Sequence, residues 1–310
     1  MAAVRARHAL RIKYRRGGRP GMGGVLVVGG GFLGGAVLAA AGPGASLASR
    51  SGGAGVDVRV DVRVDIRDVE AVDAVVERIA PDIIINCAAA TDVDLLEGDP
   101  AYARAVNALG AGNVARAAQR YSARLVHVST DSVFDGEGEW YTESDAPRPV
   151  NEYARSKLEG EEEAMSAAPG CAVARANMYG RRPGGGSLLD WIEGRLRRGE
   201  EVTGFADIVF NPLEVGNLAA ALLELARTGH RGIMHLGCGR ALSKYEFARE
   251  AASALGYDPA LVRRGASGGG RAAKRPRNTT LDCSLARSVL KTGLADVREG
   301  LAVCGAGEPR

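Results

Sequence analysis

The hydrophobic pattern divides the chain into short apolar runs and longer segments in which apolar residues recur every three or four positions. The runs at Val25–Val28, Pro81–Cys87 and Leu125–Val128 predict buried strands, because strands covered on both faces of a parallel sheet have no polar side. Segments such as Val69–Ile79 predict amphipathic helices between the strands. This alternation predicts an α/β fold with a Rossmann-type, doubly wound parallel sheet.

The same reading extends to the rest of the chain. Apolar and polar residues alternate strictly from Val56 to Arg67, which predicts a strand with one exposed face. Further strands are predicted at Ser46–Ser49, Cys171–Ala174 and, as the last one, Gly232–Leu236. The predicted organisation is a basic, disordered tail at 1–22, a nucleotide-binding domain at 23–177 with 207–236 returning to it, and a smaller C-terminal substrate-binding lobe made of 178–206 and 237–310.

A glycine-rich turn follows the first predicted strand. Gly29, Gly31 and Gly34 form a GxGxxG pattern between that strand and a helix of small residues. In this setting the glycines let the backbone approach a pyrophosphate, which the helix N-terminus attracts. We predict that the turn, together with Phe32 and Leu33, binds a dinucleotide cofactor.

The second predicted strand ends at Arg50 and Ser51. An acidic residue is expected at this point when the cofactor presents a ribose diol, whereas a guanidinium suits a 2′-phosphate. We therefore predict that NADP(H) is preferred over NAD(H), with an ordinary solvated arginine as the alternative interpretation.

Candidate chemistry gathers where the fifth strand ends. Residues 129–132 supply hydroxyls and a carboxylate at the end of a strand, where open α/β sheets bind ligands. Tyr153 and Lys157 lie four residues apart in a helix predicted to begin at Asn151, so they share one face. We expect the ammonium to lower the phenol pKa from about 10, and Thr130 to hold a carbonyl oxygen beside the phenol. The trio then predicts protonation of an alkoxide formed by hydride addition, and a surface tyrosine near a lysine is the alternative.

Composition narrows the partners of this 310-residue chain. Seven basic residues and no acidic one lie within 1–22, so the remainder is net negative and gives no indication of a nucleic-acid surface. The five cysteines and four histidines show no metal-binding spacing, and we predict no metal. We expect a cytoplasmic protein without a membrane partner, because the glycines after Arg15-Arg16 disfavour the alternative of a twin-arginine export signal.

Three motifs resemble the dTDP-4-dehydrorhamnose reductase family of extended short-chain dehydrogenase/reductases: STDSVFDG at 129–136, YTESDAP at 141–147 and NEYARSKLEGE at 151–161. The resemblance extends over residues 23–300. It implies NADPH-dependent reduction of a nucleotide-diphosphate-linked 4-keto-6-deoxysugar. In that reaction Tyr153 supplies the proton, Lys157 also holds the cofactor ribose, and Thr130 orients the carbonyl. The expected partner is the nucleotide sugar, with a homodimer as the candidate assembly.

The resemblance also assigns binding residues. Those assigned to the cofactor, beyond the glycine turn and the end of the second strand, are Asp65, Ile66, Cys87, Ala88, Ala89, Asn107, Tyr153 and Lys157. Those assigned to the substrate are Thr91, Asp131, Ser132 and Asn177. For the alanines, plain core packing is an equally good interpretation. The basic loops at Arg181–Arg182 and Arg263–Arg277 are candidates for a diphosphate clamp, with solvated loops as the alternative.

Two departures from the family pattern concern the sugar. Ser132 stands where the family usually has tyrosine, and a tryptophan is missing near Asn177-Met178. The product is therefore not fixed as rhamnose. Two rival functions stay open: an epimerase on the same fold, and a non-catalytic regulatory subunit that binds NADP. A dehydratase is disfavoured because Asp131 is followed by Ser132 and not by a second acidic residue.

Overall fold

A computed structural model describes residues 24–50, 62–268 and 272–306. The predictions for the tail at 1–22, for Ser51 and for the start of the alternating segment at 56–61 lie outside these residues. The strands are β1 (Val25–Val28), β2 (Ser46–Ser49), β3 (Val62–Arg63), β4 (Ile83–Asn86), β5 (Arg124–Thr130), β6 (Ala172–Ala176), β7 (Met178–Tyr179), β8 (Val202–Phe205), β9 (Val209–Phe210), β10 (Leu213–Glu214), β11 (Gly232–Leu236), β12 (Leu242–Ser243) and β13 (Val262–Gly265).

Helices connect these strands on both faces of the sheet. They are α1 (Phe32–Ala41), α2 (Val69–Ile79), α3 (Val93–Gly98), α4 (Pro100–Arg104), α5 (Gly110–Arg120), α6 (Glu152–Ala167), α7 (Leu188–Arg197), α8 (Val215–Thr228), α9 (Lys244–Ala254), α10 (Ser284–Val289) and α11 (Val297–Gly305). A π-helical segment, Ala105–Leu109, joins α4 to α5. The predicted start of α6 is confirmed, since the Asn151 side chain accepts a hydrogen bond from the Ala154 N–H at 2.9 Å.

Among the described residues, seven parallel strands form one sheet in the order β11-β6-β5-β4-β1-β2-β3. The direction in which successive strands are added reverses between β1 and β4. The side chains of β1 alternate, so that Val25 and Val27 join a core with α8 while Leu26 and Val28 join a core with α2 and α5. The predicted doubly wound sheet is confirmed, and its ligand crevice is expected at the carboxyl ends of β1 and β4.

The strand predicted up to Arg67 ends earlier in the structure. β3 stops at Arg63, and the chain then turns because the Asp65 carboxylate accepts hydrogen bonds from the Arg67 N–H at 3.0 Å and its guanidinium at 2.6 Å. Such local bonds from an aspartate compete with strand pairing, and a two-residue hydrophobic period does not reveal them. Because β3 ends at Arg63, Asp65 and Ile66 lie at the edge of the crevice.

The C-terminal lobe is built from short paired strands and helices. β13 pairs with β8 and β12 pairs with β9, so Gly232–Leu236 is not the last strand as predicted. β9 lies within 207–236 yet pairs with the lobe, and the proposed division of the chain into two domains stays a prediction. None of the helices in the described ranges combines the length and apolarity needed to span a bilayer.

A buried polar network fixes α6 against the sheet. Arg175 of β6 and Glu161 of α6 are each 1% exposed and form an ion pair at 2.7 Å. Glu161 also accepts a hydrogen bond from the Ser129 hydroxyl at 2.5 Å. His235 lies with Nε2 3.5 Å from the Arg175 guanidinium and Nδ1 2.9 Å from the Tyr141 carbonyl oxygen. Because Nδ1 faces an acceptor and Nε2 faces the guanidinium, which can only donate, Nδ1 carries the proton and the imidazole is neutral.

This arrangement predicts loss of stability in acid. Burial lowers the pKa of His235, which Glu143 partly opposes, and burial with the Lys157 ammonium lowers the pKa of His127 well below 6.5. Between its lowered pKa and pH 6.5, each imidazole is neutral in the folded protein but protonated in the unfolded chain. The unfolded state therefore binds more protons below pH 6.5, and the free energy of unfolding falls by up to about 1.4 kcal/mol per pH unit for each histidine.

Urea denaturation at several pH values between 5 and 8 measures this slope. His235→Gln should reduce the slope of the free energy of unfolding against pH by the contribution of one histidine, because the titrating group is gone. This holds whatever the substitution does to the stability at pH 8. An unchanged slope in that variant would remove His235 from the explanation.

Candidate active site

A cavity of about 540 Å³ opens at the carboxyl ends of β1, β4 and β5, where the strand order reverses. Its lining contains most of the residues predicted to bind a cofactor: Gly29, Gly31, Phe32, Leu33, Gly34, Arg50, Asp65, Ile66, Cys87, Ala88, Ala89, Tyr153 and Lys157. Thr91, predicted to contact the substrate, lines the same cavity. Clefts of several hundred Å³ at such switch points are typical ligand sites of α/β proteins.

The glycine turn forms the floor of this cavity. Gly29 has φ +99°, and a Cβ there would lie 2.6 Å from the Ala88 nitrogen. A Cβ at Gly34 would collide with the Gly29 carbonyl oxygen, whereas a Cβ at Gly31 would meet nothing within 4 Å. Two glycines are thus required by the turn itself. The third leaves open space over which a ligand can approach the backbone.

The N-terminus of α1 faces the same cavity. Within the described residues, no side chain caps this helix and no acidic residue occupies its first turn. The first N–H groups of a helix lack intrahelical partners and carry the positive end of its dipole. The turn and the helix together therefore offer N–H donors to an anion such as a pyrophosphate.

Two arginines meet a tyrosine at the far end of the cavity. The Arg50 guanidinium donates to the Tyr102 hydroxyl at 3.1 Å, and Arg67 lies over the Tyr102 ring at 5.7 Å from its centroid. Arg67 also holds Asp65, and the pKa of that carboxyl is lowered to about 2, first by the Arg67 hydrogen bond. Asp65 is therefore charged and bound to Arg67, while Tyr102 holds Arg50 beside the cavity.

Ala88, Ala89 and Ala90 form one wall of the cavity, and Asn107 holds this wall from behind. Its amide accepts from the Ala90 N–H at 2.8 Å and donates to the Ala90 carbonyl at 3.0 Å and to the Ser156 hydroxyl at 3.0 Å. Asn107 is 1% exposed and lies behind the wall, outside the residues that line the cavity, and its predicted contact with the cofactor stays a prediction. Gly160 of α6 makes this position of Asn107 possible, because a Cβ there would collide with the Asn107 carbonyl oxygen.

The predicted catalytic trio converges at the end of β5. Lys157 is 2% exposed and its ammonium donates to the Val128 carbonyl oxygen at 2.7 Å. Tyr153 lines the cavity one turn before it, and the Thr130 hydroxyl lies close enough to the phenol to affect its pKa. The spacing of four residues places Tyr153 and Lys157 on one face of α6, and both line the cavity. Their catalytic roles stay a prediction.

The electrostatics of the trio differ from the prediction. Burial raises the pKa of Tyr153 to about 12, with the Asp131 charge adding to the rise and the Thr130 hydrogen bond opposing it. Burial also lowers the pKa of Lys157 to about 8. Lys157 is not among the groups that shift the Tyr153 pKa, so the expected lowering by the lysine is wrong, and the phenol holds its proton at neutral pH because it is buried.

Asp131 organises the residues predicted to bind substrate. It is 1% exposed, and its carboxylate accepts from the hydroxyls of Thr130 at 3.1 Å and Ser132 at 3.2 Å. The other oxygen accepts from the Asn177 amide at 2.9 Å and the Thr279 hydroxyl at 2.6 Å. Asp131, Ser132 and Asn177 therefore form one cluster beside Thr130, apart from Thr91, which lies in the cofactor cavity.

Several predicted phosphate-clamping arginines are paired within the protein. Arg181 contacts Glu193 at 2.5 Å, Arg263 contacts Glu201 at 2.7 Å, and Arg275 contacts Asp94 at 3.0 Å. Arg182 instead lines the cavity. A run of basic residues does not reveal which of them have acidic partners elsewhere in the fold, so the proposed clamp is reduced to fewer arginines.

Sequence reasoning missed four residues at the site. Tyr102, Arg67 and Met178 lie at or beside the cavity, and Thr279 bonds Asp131. Thr279 is 148 positions from Asp131 and Tyr102 is 52 from Arg50, so no local pattern relates them. Met178 could have been predicted from the sequence, because it directly follows Asn177, which was assigned to the substrate. Among the described residues, no group of three or more His, Cys, Asp or Glu side chains is placed to hold a metal ion.

Comparison with known proteins agrees with this geometry. Residues 24–306 match the family described as RmlD substrate binding domain. The chain is 39% identical over 241 residues to a dTDP-4-dehydrorhamnose reductase of Mycolicibacterium smegmatis, covering 76% of this chain and 73% of that protein. It is 35% identical over 205 residues to a dTDP-4-keto-6-deoxy-D-glucose reductase of Streptomyces niveus, covering 64% and 69%.

A solved structure gives the same result. The crystal structure of a dTDP-4-dehydrorhamnose reductase from Bacillus anthracis in complex with NADP superposes with a TM-score of 0.79 at 28% identity. The alignment covers 92% of this chain and 99% of that one.

The glycine turn provides a matched pair of variants. Gly34→Ala should destabilise the protein, because its methyl group collides with the turn. Gly31→Ala should leave the melting temperature within about 2 °C of wild type, a change well under 1 kcal/mol, but weaken NADPH binding about tenfold or more. Thermal denaturation and fluorescence titration with NADPH separate the two effects. Equal NADPH affinity in Gly31→Ala and wild type would contradict a cofactor approach over Gly31.

Proposed function

The chain belongs to the family described as RmlD substrate binding domain, and we propose from this that it is an NADPH-dependent reductase of a nucleotide-diphosphate-linked 4-keto-6-deoxysugar. The observation that carries the proposal is the convergence of Thr130, Tyr153 and Lys157 beside a cavity suited to a dinucleotide. Named relatives act as reductases of dTDP-linked keto sugars, which supports the same substrate class here.

The residues around the cavity fit NADP(H). The N-terminus of α1, which no side chain caps, would present backbone N–H groups to a pyrophosphate, and Arg50 would supply a charge suited to a 2′-phosphate. Asp65 and Ile66 flank the adenosine end, and Cys87, Ala88 and Ala89 form the wall toward Tyr153. Small side chains along this wall leave room for a planar ring.

The proposed mechanism assigns proton handling to the protein. Bound NADPH would supply a hydride to the keto carbon of the sugar. Tyr153, protonated at neutral pH because its pKa is raised to about 12, holds the proton that the keto oxygen takes up as negative charge develops on it. An alkoxide is a stronger base than a phenolate, so the transfer is favourable. Lys157 stays fixed to the Val128 carbonyl and stabilises the resulting phenolate.

Thr130 and Asp131 set the geometry of the acceptor. The Thr130 hydroxyl donates its one proton to Asp131 and accepts from the Ser132 N–H. Asp131 thereby holds Thr130 in one orientation and, through its charge, favours the neutral phenol. We propose that the keto oxygen of the bound substrate takes the place of the Thr130 hydroxyl as the group next to the Tyr153 hydroxyl.

The rival functions have less support. A regulatory subunit has no need of a buried lysine anchored near a tyrosine at the end of β5. A reductase does, and reductase is the activity named for the relatives described above. An epimerase would also have to return the hydride to the sugar, and no observation favours it over reduction. We also propose a reducing, cytoplasmic setting, supported by five free cysteines.

The principal test is oxidation of NADPH with dTDP-linked 4-keto sugars, followed by absorbance. Tyr153→Phe should lower kcat about 10²–10⁴-fold with NADPH affinity retained, because it removes only the proton donor. Tyr257→Phe, a tyrosine near α7 and outside the cavity, is the matched control and should keep wild-type kcat. Turnover of Tyr153→Phe within threefold of wild type would exclude Tyr153 as the donor.

Cofactor preference provides an independent test. Arg50→Asp should weaken NADPH binding by charge repulsion and narrow its advantage over NADH. Tyr102→Phe should act in the same direction but about tenfold less, since it only releases the Arg50 guanidinium. Fluorescence titrations with both cofactors measure the ratio. Wild-type protein that binds NADH and NADPH equally would contradict the role of Arg50.

A further inference from the structure

Lys244 presents an ammonium group with few partners at the edge of the site. It is the first residue of α9 in the C-terminal lobe, and its Nζ lies 3.2 Å from the centroid of the Phe210 ring. Phe210 is 1% exposed, so the ring face is part of the core. Among the described residues, the ammonium has no hydrogen-bond acceptor and no ion pair. A lysine in such a position normally reaches water or a carboxylate.

The fold places Lys244 beside the substrate cluster. β12 pairs with β9 at Leu242 and Phe210, which fixes the start of α9 next to β9. The carbonyl of Val209 in β9 accepts from the Thr279 N–H at 3.0 Å, and the Thr279 hydroxyl bonds Asp131. Lys244 therefore lies on the lobe side of the cluster formed by Asp131, Ser132, Asn177 and Thr279.

The charges in this region leave the ammonium available. The Asp131 charge acts on Lys244, yet this carboxylate already accepts four hydrogen bonds and lies too far away for an ion pair. Burial lowers the pKa of Lys244 to about 8, so most of the side chains are charged at pH 7. A ring face attracts a cation but accepts none of its N–H donors in the way an oxygen does.

We propose that Lys244 determines substrate specificity by donating hydrogen bonds to a hydroxyl oxygen of the sugar ring, and this rests on the proposed function. The keto carbon must lie near Tyr153 and Thr130, so the ring substituents next to it point toward Asp131 and the lobe. A diphosphate in the same place would be repelled by the buried Asp131 carboxylate. Neutral hydroxyl groups carry no charge for Asp131 to repel, and their oxygens can accept from the ammonium.

The proposal differs from a purely structural role for Lys244. If the side chain only packs on Phe210, its apolar stem supplies the stabilising contact and the charge is dispensable. Lys244→Met keeps an unbranched apolar stem of similar length and removes the donors. Lys291→Met, at an exposed lysine after α10, is the matched control for the loss of one positive charge.

The experiment compares the affinities of dTDP and dTDP-rhamnose by isothermal titration, with NADPH affinity and melting temperature measured alongside. In wild type, dTDP-rhamnose should bind more tightly than dTDP. In Lys244→Met the dTDP and NADPH affinities should stay within twofold, while dTDP-rhamnose affinity falls ten- to a hundredfold, as expected for a lost charge-assisted hydrogen bond. Lys291→Met should change none of these affinities.

Two results would overturn the proposal. An equal loss for dTDP and dTDP-rhamnose would assign the ammonium to the diphosphate, and unchanged affinities would leave Lys244 a packing residue. Should Lys244→Met fail to fold, Lys244→Gln gives the same comparison with a neutral donor and a smaller expected loss. Binding is measured without turnover, so failure of wild type to oxidise NADPH with any keto sugar would reject the proposed reaction separately.

Discussion

The buried ion pair between Arg175 and Glu161 is the constraint on which the rest of the site depends. It joins α6 to β6, while Ser129 and Lys157 join the same helix to β5. Breaking one member of such a pair leaves an uncompensated buried charge, which costs about 3–5 kcal/mol. The helix therefore has one position along the strands. That position sets the depth of Tyr153 in the cavity and, through Ser156 and Asn107, the position of the alanine wall.

Burial and hydrogen bonding then divide the titrating groups into two roles. Desolvation raises the pKa of Tyr153 and lowers that of Lys157. The tyrosine therefore keeps its proton at neutral pH, while a small fraction of Lys157 is uncharged. Asp131 moves the tyrosine further in the same direction. A phenol that is fully protonated at neutral pH suits reduction, in which it gives up a proton, better than oxidation, in which it must first be deprotonated.

Features with a local cause were predictable from sequence. The apolar run of β1, the cap at Asn151 and the glycine turn each depend on neighbouring residues, and each lies where the pattern indicated. Features set by distant contacts were not. Alternation could not reveal that Asp65 ends β3 early, and charge alone could not show that Arg181 is paired with Glu193. The tyrosine pKa was mispredicted because the spacing to Lys157 does not show the burial of the phenol, which is the largest cause of its shift.

The bond between Thr279 and Asp131 has a consequence for how such enzymes diversify. Thr279, 148 positions along the chain, completes the hydrogen-bond shell of a carboxylate that also orients Thr130. The segment that carries Thr279 is therefore not an exchangeable module: transplanting it from a relative would leave Asp131 short of a donor unless the graft supplies an equivalent hydroxyl. New sugar preferences on this scaffold are more accessible through single replacements around the cluster, which leave the shared carboxylate intact, than through exchange of whole segments.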